Sequence, residues 1–186
     1  IVPVQASSGR ETVSIESDEQ PGKARIDKIS TLKPAFREGG TVTAANSSSI
    51  SDGSAALVLM RLSEAERRGL TPLARIAGHA SYAHAPGLFA TAPVGAIKRL
   101  LERTNWSIND VDLFEINEAF AVVPMVVIRD LNVGHEQLNV HGGACALGHP
   151  IGASGARVVV TLINALRQNT LKRGIASVCI GGGEST

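Results

Sequence analysis

Several things are scarce in this chain. No stretch gathers five or six Lys and Arg together, and the formal net charge is only +1 over 186 residues. The footprint of a nucleic-acid or membrane-surface binder is therefore missing, and a small neutral or anionic ligand is the better expectation. No apolar run reaches the roughly 18 residues that a membrane-spanning helix needs. The first residues lack both the charged start and the small-residue cleavage site of a secretory signal. Cysteine is rare: Cys145 and Cys179 are the only two, which without a secretory signal reads as reduced thiols rather than a disulfide framework. A cytoplasmic setting, or a mitochondrial matrix or peroxisome, fits that chemistry. An initiating Met is also lacking, and the chain reads as an internal fragment, abrupt at Ile1 and again at Gly181-Gly182-Gly183-Glu184-Ser185-Thr186.

What is present is enough apolar residue to bury a core, 44% of the chain. Residues 1 to 50 are turn-rich, with Ser7-Ser8-Gly9, Asp18 to Gly22 and Asn46 to Ser49 separating short apolar pieces such as Ile1 to Val4. From Ala55 to Met60 the run is continuously apolar and predicts a buried strand, followed by a helix from Ser63 to Gly69.

The remainder alternates strand and helix. Strands are expected at about 73–79, 111–116, 138–140 and 175–180. One helix opens at Pro93, with Val94, Ile97 and Leu101 on one face. A second starts at about residue 118 and contains Pro124, which predicts a kink or a late start. The third spans about 153–168 with a stripe of Val159, Leu162, Ile163 and Leu166. This is an α/β pattern.

Three places could carry chemistry. Asn117-Glu118-Ala119-Phe120 lies where an apolar strand meets a helix, a usual location of ligand groups in α/β folds. Asn117 there could bind a water or carbonyl oxygen, or could merely cap the helix while Glu118 favours its positive end. The segment His141 to Gly155 has five glycines in fifteen positions, a density that lets backbone approach a ligand and aims N–H groups into a cavity. His149, between Gly148 and Pro150, is placed for a general base or an oxyanion donor, with a solvent-exposed turn histidine as the plainer alternative.

Cys179 precedes Ile180 and Gly181 at the end of an apolar strand. It is a nucleophile or a base if functional, and an inert buried hydrophobe if not. His141, Cys145 and His149 are spaced by four, so zinc was weighed, but the glycines and Pro150 work against a regular helix and no metal is expected. Cys145 reads as filler. His79, His84 and His135 have no partner motif, and Tyr82 and Trp106 read as packing residues.

Asn-Glu-Ala-Phe at 117–120, Gly-His-Pro-Ile-Gly-Ala-Ser-Gly at 148–155 and Cys-Ile-Gly-Gly-Gly at 179–183 stand in the order and at the intervals of the thiolase family, which the sequence resembles. The resemblance extends to Leu32 to Phe36, Gly40 to Asn46 and Asp52-Gly53, and so spans nearly the whole chain. It implies two similar βαβαβαββ halves in an αβα-layered fold, with a loop domain inserted in the first. Residues 1–50 would be the tail of that loop domain, 51–72 a strand and helix completing the first half, and 73–186 the second half without its last strand.

The activity implied is acyl transfer between coenzyme A thioesters: thiolysis of 3-ketoacyl-CoA, or Claisen condensation of two acetyl-CoA to acetoacetyl-CoA, in fatty acid metabolism. Coenzyme A thioester is then a substrate, and no cofactor is implied. His149 would deprotonate the acyl-accepting cysteine, which would lie upstream of Ile1, so the chain alone should be inactive. Asn117, through a bound water, would join His149 in one oxyanion hole. Cys179 would be the acid/base at the acetyl methyl carbon, with the Gly181 N–H in a second hole. Ser48 and Ala44 would border the pantetheine, Phe36 and Phe89 would wall it, and Lys23 or Arg25 would meet the phosphates.

Ala45 stands where the family often has Gly, and Ser47-Ser48-Ser49 replaces Ala-Ser-Gly. A homodimer or homotetramer is implied. A non-catalytic acyl-CoA scaffold would be marked by loss of a reacting residue, and Asn117, His149 and Cys179 are all present.

Overall fold

A computed structural model describes residues 2–186. The chain opens with a hairpin, β1 (Val4–Ser8) and β2 (Glu11–Ile15), antiparallel with Val4 opposite Ile15 and almost wholly exposed. The strand anticipated at Ile1 to Val4 begins only at Val4, and Ile1 lies outside the described residues. A one-turn helix, α1 (Gln20–Lys23), and irregular chain with 3₁₀ turns lead to the segment 44–51.

The buried strand expected at 55–60 does not form. That run is irregular, without a ladder partner among the described residues, with Val58 86% and Leu59 67% exposed. The strand expected at 73–79 is absent too, and Leu73 and Ile76 face outward. A strand exists only when a neighbour accepts its backbone hydrogen bonds, and among the described residues none lies beside either run. The helix between them, α2 (Leu62–Arg67), is present and ends before Gly69, which takes φ +66°.

From residue 80 onward the chain packs. After β3 (Tyr82–Ala83) comes α3 (Ala92–Thr104), with Pro93 in its first turn, Val94 and Ile97 buried, and Leu101 packed beside them. Asn105, left-handed at φ 55°, ends it. β4 (Leu113–Ile116) is buried at all four positions. Helix α4 (Val122–Leu131) starts late, so that Pro124 falls in the first turn, where its missing N–H has no intrahelical partner to lose. The strand expected at 138–140 reduces to one bridge from Leu138 to Phe114, because Asn139 turns left-handed at φ 50°.

A one-turn helix, α5 (Ala144–Leu147), occupies the glycine-rich loop despite its composition. Helix α6 (Ser154–Gln168) buries Ser154, Val158, Leu162 and Ala165, so its inner stripe is rotated from the expected one, with Leu162 common to both. β5 (Gly174–Ser177) pairs parallel with β4, Ile116 opposite Ser177. Finally β6 (Cys179–Ile180) turns through Gly181-Gly182-Gly183 into β7 (Glu184–Ser185), which also pairs with β3.

The parallel pair β4–β5 is the centre of the fold. Phe114 and Ile116 enter a core with Ile97, Val123, Val127 and Ile175 on the α3–α4 side. Leu113 packs on Leu162 and Ala165 of α6 on the other. Alternation along the strand turns Glu115 toward that second side as well.

Candidate active site

β4 and β5 end together, and the residues that follow them are set side by side: the Asn117 N–H donates to the Ser177 carbonyl at 2.9 Å. Asn117 and Cys179 thus leave the C-terminal ends of neighbouring parallel strands, where open α/β sheets place their sites. Three pieces of chain converge there. The segment 46–51 lies between the loop after β4 and the loop before α6, through Ala121 N–H to the Asn46 carbonyl (2.9 Å), Ser48 N–H to the Ala119 carbonyl (3.2 Å) and His149 N–H to the Ser49 carbonyl (2.8 Å). Gly148, at φ +87°, makes the turn that presents His149, and a side chain there would run into Ser51.

Asn117 Nδ2 lies 3.1 Å from His149 Nε2, and His149 Nδ1 lies 2.6 Å from Ser154 Oγ. Ser154 has one hydroxyl hydrogen, and the Pro150 carbonyl at 3.0 Å can only accept it. With the hydrogen directed there, the Ser154 oxygen is the acceptor for an Nδ1–H, and Nε2 faces the amide of Asn117 as an acceptor. Burial first, and the positive charge of Arg157 second, hold the imidazole below its usual value. A neutral ring with an unprotonated Nε2 is what a general base near pH 7 requires. Asn117 itself is fully buried, and its Oδ1 has no partner.

Beneath this array lies a second pair that the motif reading missed. Glu115 of β4 is buried and lies 3.6 Å from the partly buried Arg157 of α6, and neither Glu115 oxygen nor Arg157 Nη1 makes a hydrogen bond. Burial pushes the Glu115 carboxyl up to about 7, against the pull of Arg157 and with a push from Glu118. A carboxylate inside the apolar strand Leu113–Ile116 was the readable signal. Ser154 had none, since its role depends on the first turn of α6 sitting against His149.

Cys179 is buried, and burial raises its thiol above the usual value, which favours the protonated form. Gly181 lies in the exposed β6–β7 turn with open space where a side chain would be. Cys145 is half-buried and is pushed up to about 11 by burial and by the nearby charge of Glu118. His141 is exposed, and among the described residues no three His, Cys, Asp or Glu are grouped to hold a metal ion.

Ser48 donates its hydroxyl to the Ala119 carbonyl at 2.9 Å, and Ala44 opens the exposed turn before it. Phe36 and Phe89 both pack edge-on against Phe120, at 5.7 and 6.2 Å between centroids. Lys23 and Arg25 are exposed and engaged with Glu19 and Asp27.

Comparison with known proteins identifies the family. A family model described as "Thiolase, C-terminal domain" matches residues 70–186, and one described as "Thiolase, N-terminal domain" matches residues 1–63. The chain belongs to the thiolase family. It is 51% identical to a probable acetyl-CoA acetyltransferase of Dictyostelium discoideum, covering 100% of this chain and 44% of the relative. It is 50% identical to acetyl-CoA acetyltransferase 1 of Arabidopsis thaliana, covering 98% of this chain and 45% of the relative.

The crystal structure of the Bacillus anthracis acetyl-CoA acetyltransferase superposes with a TM-score of 0.93 at 45% identity, over 100% of this chain and 47% of that one. Human mitochondrial 3-ketoacyl-CoA thiolase gives 0.86 at 34% identity, over 98% and 47%. The fold is therefore the thiolase α/β fold, and the chain spans a little under half the length of these relatives. Among the described residues no helix is long and apolar enough to cross a membrane.

Proposed function

We propose that this chain supplies the proton-transfer half of an acetyl-CoA C-acetyltransferase. The acyl-accepting cysteine would be contributed by the remainder of a thiolase, which the relatives' greater length leaves room for. The observation that carries the reading is the placement of His149, with Nδ1 2.6 Å from Ser154 Oγ and Nε2 3.1 Å from Asn117 Nδ2.

In thiolysis, His149 takes the proton of the acyl-accepting cysteine, whose thiolate attacks the 3-keto carbon of the substrate. The C2–C3 bond then breaks, and its electron pair becomes the enolate of acetyl-CoA. Cys179 delivers its proton to that carbon and leaves as thiolate. The thiolate takes the proton of incoming coenzyme A, whose sulfur attacks the acyl-enzyme and carries off the acyl group as a new thioester, while the freed enzyme cysteine takes its proton back from His149. Condensation runs the same steps backward. His149 and, through a bound water, Asn117 stabilise one oxyanion, and the Gly181 N–H the other. Ser48, Ala44, Phe36 and Phe89 border the pantetheine, and no added cofactor takes part.

The same reading makes residues 1–50 part of a loop domain, 51–72 part of the first half and 73–186 the second half. The exposed runs 55–60 and 73–79 become strands when that first half is present. Assembly as a homodimer or homotetramer, a cytoplasmic, matrix or peroxisomal site and a role in fatty acid metabolism accompany it.

The test is thiolysis of acetoacetyl-CoA by the full-length protein, by its Cys179→Ala variant and by this chain alone. A large loss in the variant with no turnover by the chain alone supports the assignment. Near-full activity of Cys179→Ala, or turnover by the chain alone, overturns it.

A further inference from the structure

Glu118 stands in no step of that chemistry, yet its carboxylate joins two of the loops that make the site. One oxygen, Oε1, accepts from Asn139 Nδ2 at 2.7 Å, and the other, Oε2, accepts from the Cys145 backbone N–H at 3.1 Å. The Cys145 thiol lies against the Glu118 carbonyl as well, at 3.9 Å. Rather than serving the first turn of α4, as the sequence suggests, the side chain folds across to the loop that ends at His149. Gly143 leaves room for it, since a methyl there would collide with the carboxylate.

Both partners are fixed donors. The Cys145 N–H is backbone. Asn139 cannot turn its amide over, because Oδ1 already accepts from the Ile116 N–H at 2.8 Å and Nδ2 also donates to the Ile116 carbonyl at 2.9 Å. Two donors aimed at two oxygens call for a carboxylate. Glutamine, with the same length and volume, presents one acceptor and one NH₂, so one contact must become donor against donor.

We propose that Glu118 is a positioning residue: its carboxylate clamps the glycine-rich loop to the end of β4 and so fixes His149 relative to Asn117. This rests on the thiolase reading for its kinetic consequence, though not for its geometry.

Glu118→Gln in the full-length protein should lower kcat for acetoacetyl-CoA thiolysis by about 100-fold, the cost of misplacing a reacting group by about an ångström, while KM moves by less than about threefold. Peptide-resolved alkylation gives a second readout. Removing the Glu118 charge should speed Cys145 modification about tenfold at a fixed pH, while buried Cys179 stays protected. Gly143→Ala, which breaks the same contact from the loop side, should give the same signature should Glu118→Gln fail to fold. Wild-type kcat in either folded variant, or Cys145 reactivity unchanged in both, overturns the clamp. Absence of thiolysis in the unsubstituted full-length protein would instead sink the functional reading, and Cys145 reactivity would still decide the clamp.

Discussion

Two stretches of this chain carry the same kind of apolar signal and meet opposite fates. Leu113–Ile116 is buried at every position, between α3–α4 on one side and α6 on the other. Ala55 to Met60, more uniformly apolar, is irregular and largely exposed, with no strand beside it among the described residues. The difference is pairing: β4 has β5 to exchange hydrogen bonds with, and the earlier run has nothing. Hydrophobicity proposes a strand, and a neighbouring backbone decides whether there is one.

The largest expected effect lies at the end of the buried stretch. In the full-length protein His149→Ala should cut thiolysis of acetoacetyl-CoA by about 10³-fold, from the general range for a lost acid or base. A loss of less than tenfold would remove His149 from the chemistry. Within the packed region, Phe114→Ala should cost about 3–5 kcal/mol in a urea titration, because it empties a site that is only 1% exposed. Leu59→Ala, also an apolar truncation, should change stability of this chain by less than about 0.5 kcal/mol. Equal losses at the two sites would break the contrast between them.

Glu115 sharpens the comparison through pH. Its carboxyl keeps its proton in the fold up to about 7, whereas the unfolded chain loses it near the ordinary 4.5. Between those values the folded state binds the extra proton, so stability falls as pH rises across the window, by about 3 kcal/mol at most. His149 works the other way, since its depressed value makes stability fall as pH drops below about 6.5. Urea midpoints measured from pH 4.5 to 7.5 for wild type and Glu115→Gln separate the two. The wild-type curve should lose ground with rising pH relative to the variant, and parallel curves would mean that Glu115 is not protonated in the fold.

The smallest kinetic effect is expected at Ser154. Ser154→Ala should slow thiolysis about tenfold and shift the acid limb of the pH–rate profile, because Nδ1 loses the acceptor that holds the ring in place. An unchanged profile would mean that the ring is held by Asn117 alone.

What the sequence made legible follows the same division. The helices from Ala92 and Ser154 and the strand β4 were readable, because partners within this chain cover their apolar faces. The strands at 55–60 and 73–79 were not, since strand is a property of a pair. The strand at 138–140 failed on one residue, Asn139, whose left-handed backbone and buried amide belong to the loop rather than a ladder.

At the site, motif spacing marked Asn117 and His149, which a 3.1 Å contact joins. Spacing could not reveal that Ser154 Oγ meets His149 Nδ1, because that follows from where α6 begins against the ring. Nor could it show that Glu118 reaches across to Cys145, since the obvious target of a carboxylate after a strand is the helix that follows it.

The open run from Val58 to Met60 has a consequence inside a cell. Short extended stretches of aliphatic side chains flanked by a basic residue, here Arg61, are the kind of surface that holdase chaperones and quality-control proteases sample. Made alone, the chain should be retained by that machinery and turned over quickly. Co-synthesis with a partner that covers residues 55–80 should lengthen its life without altering a single contact around His149.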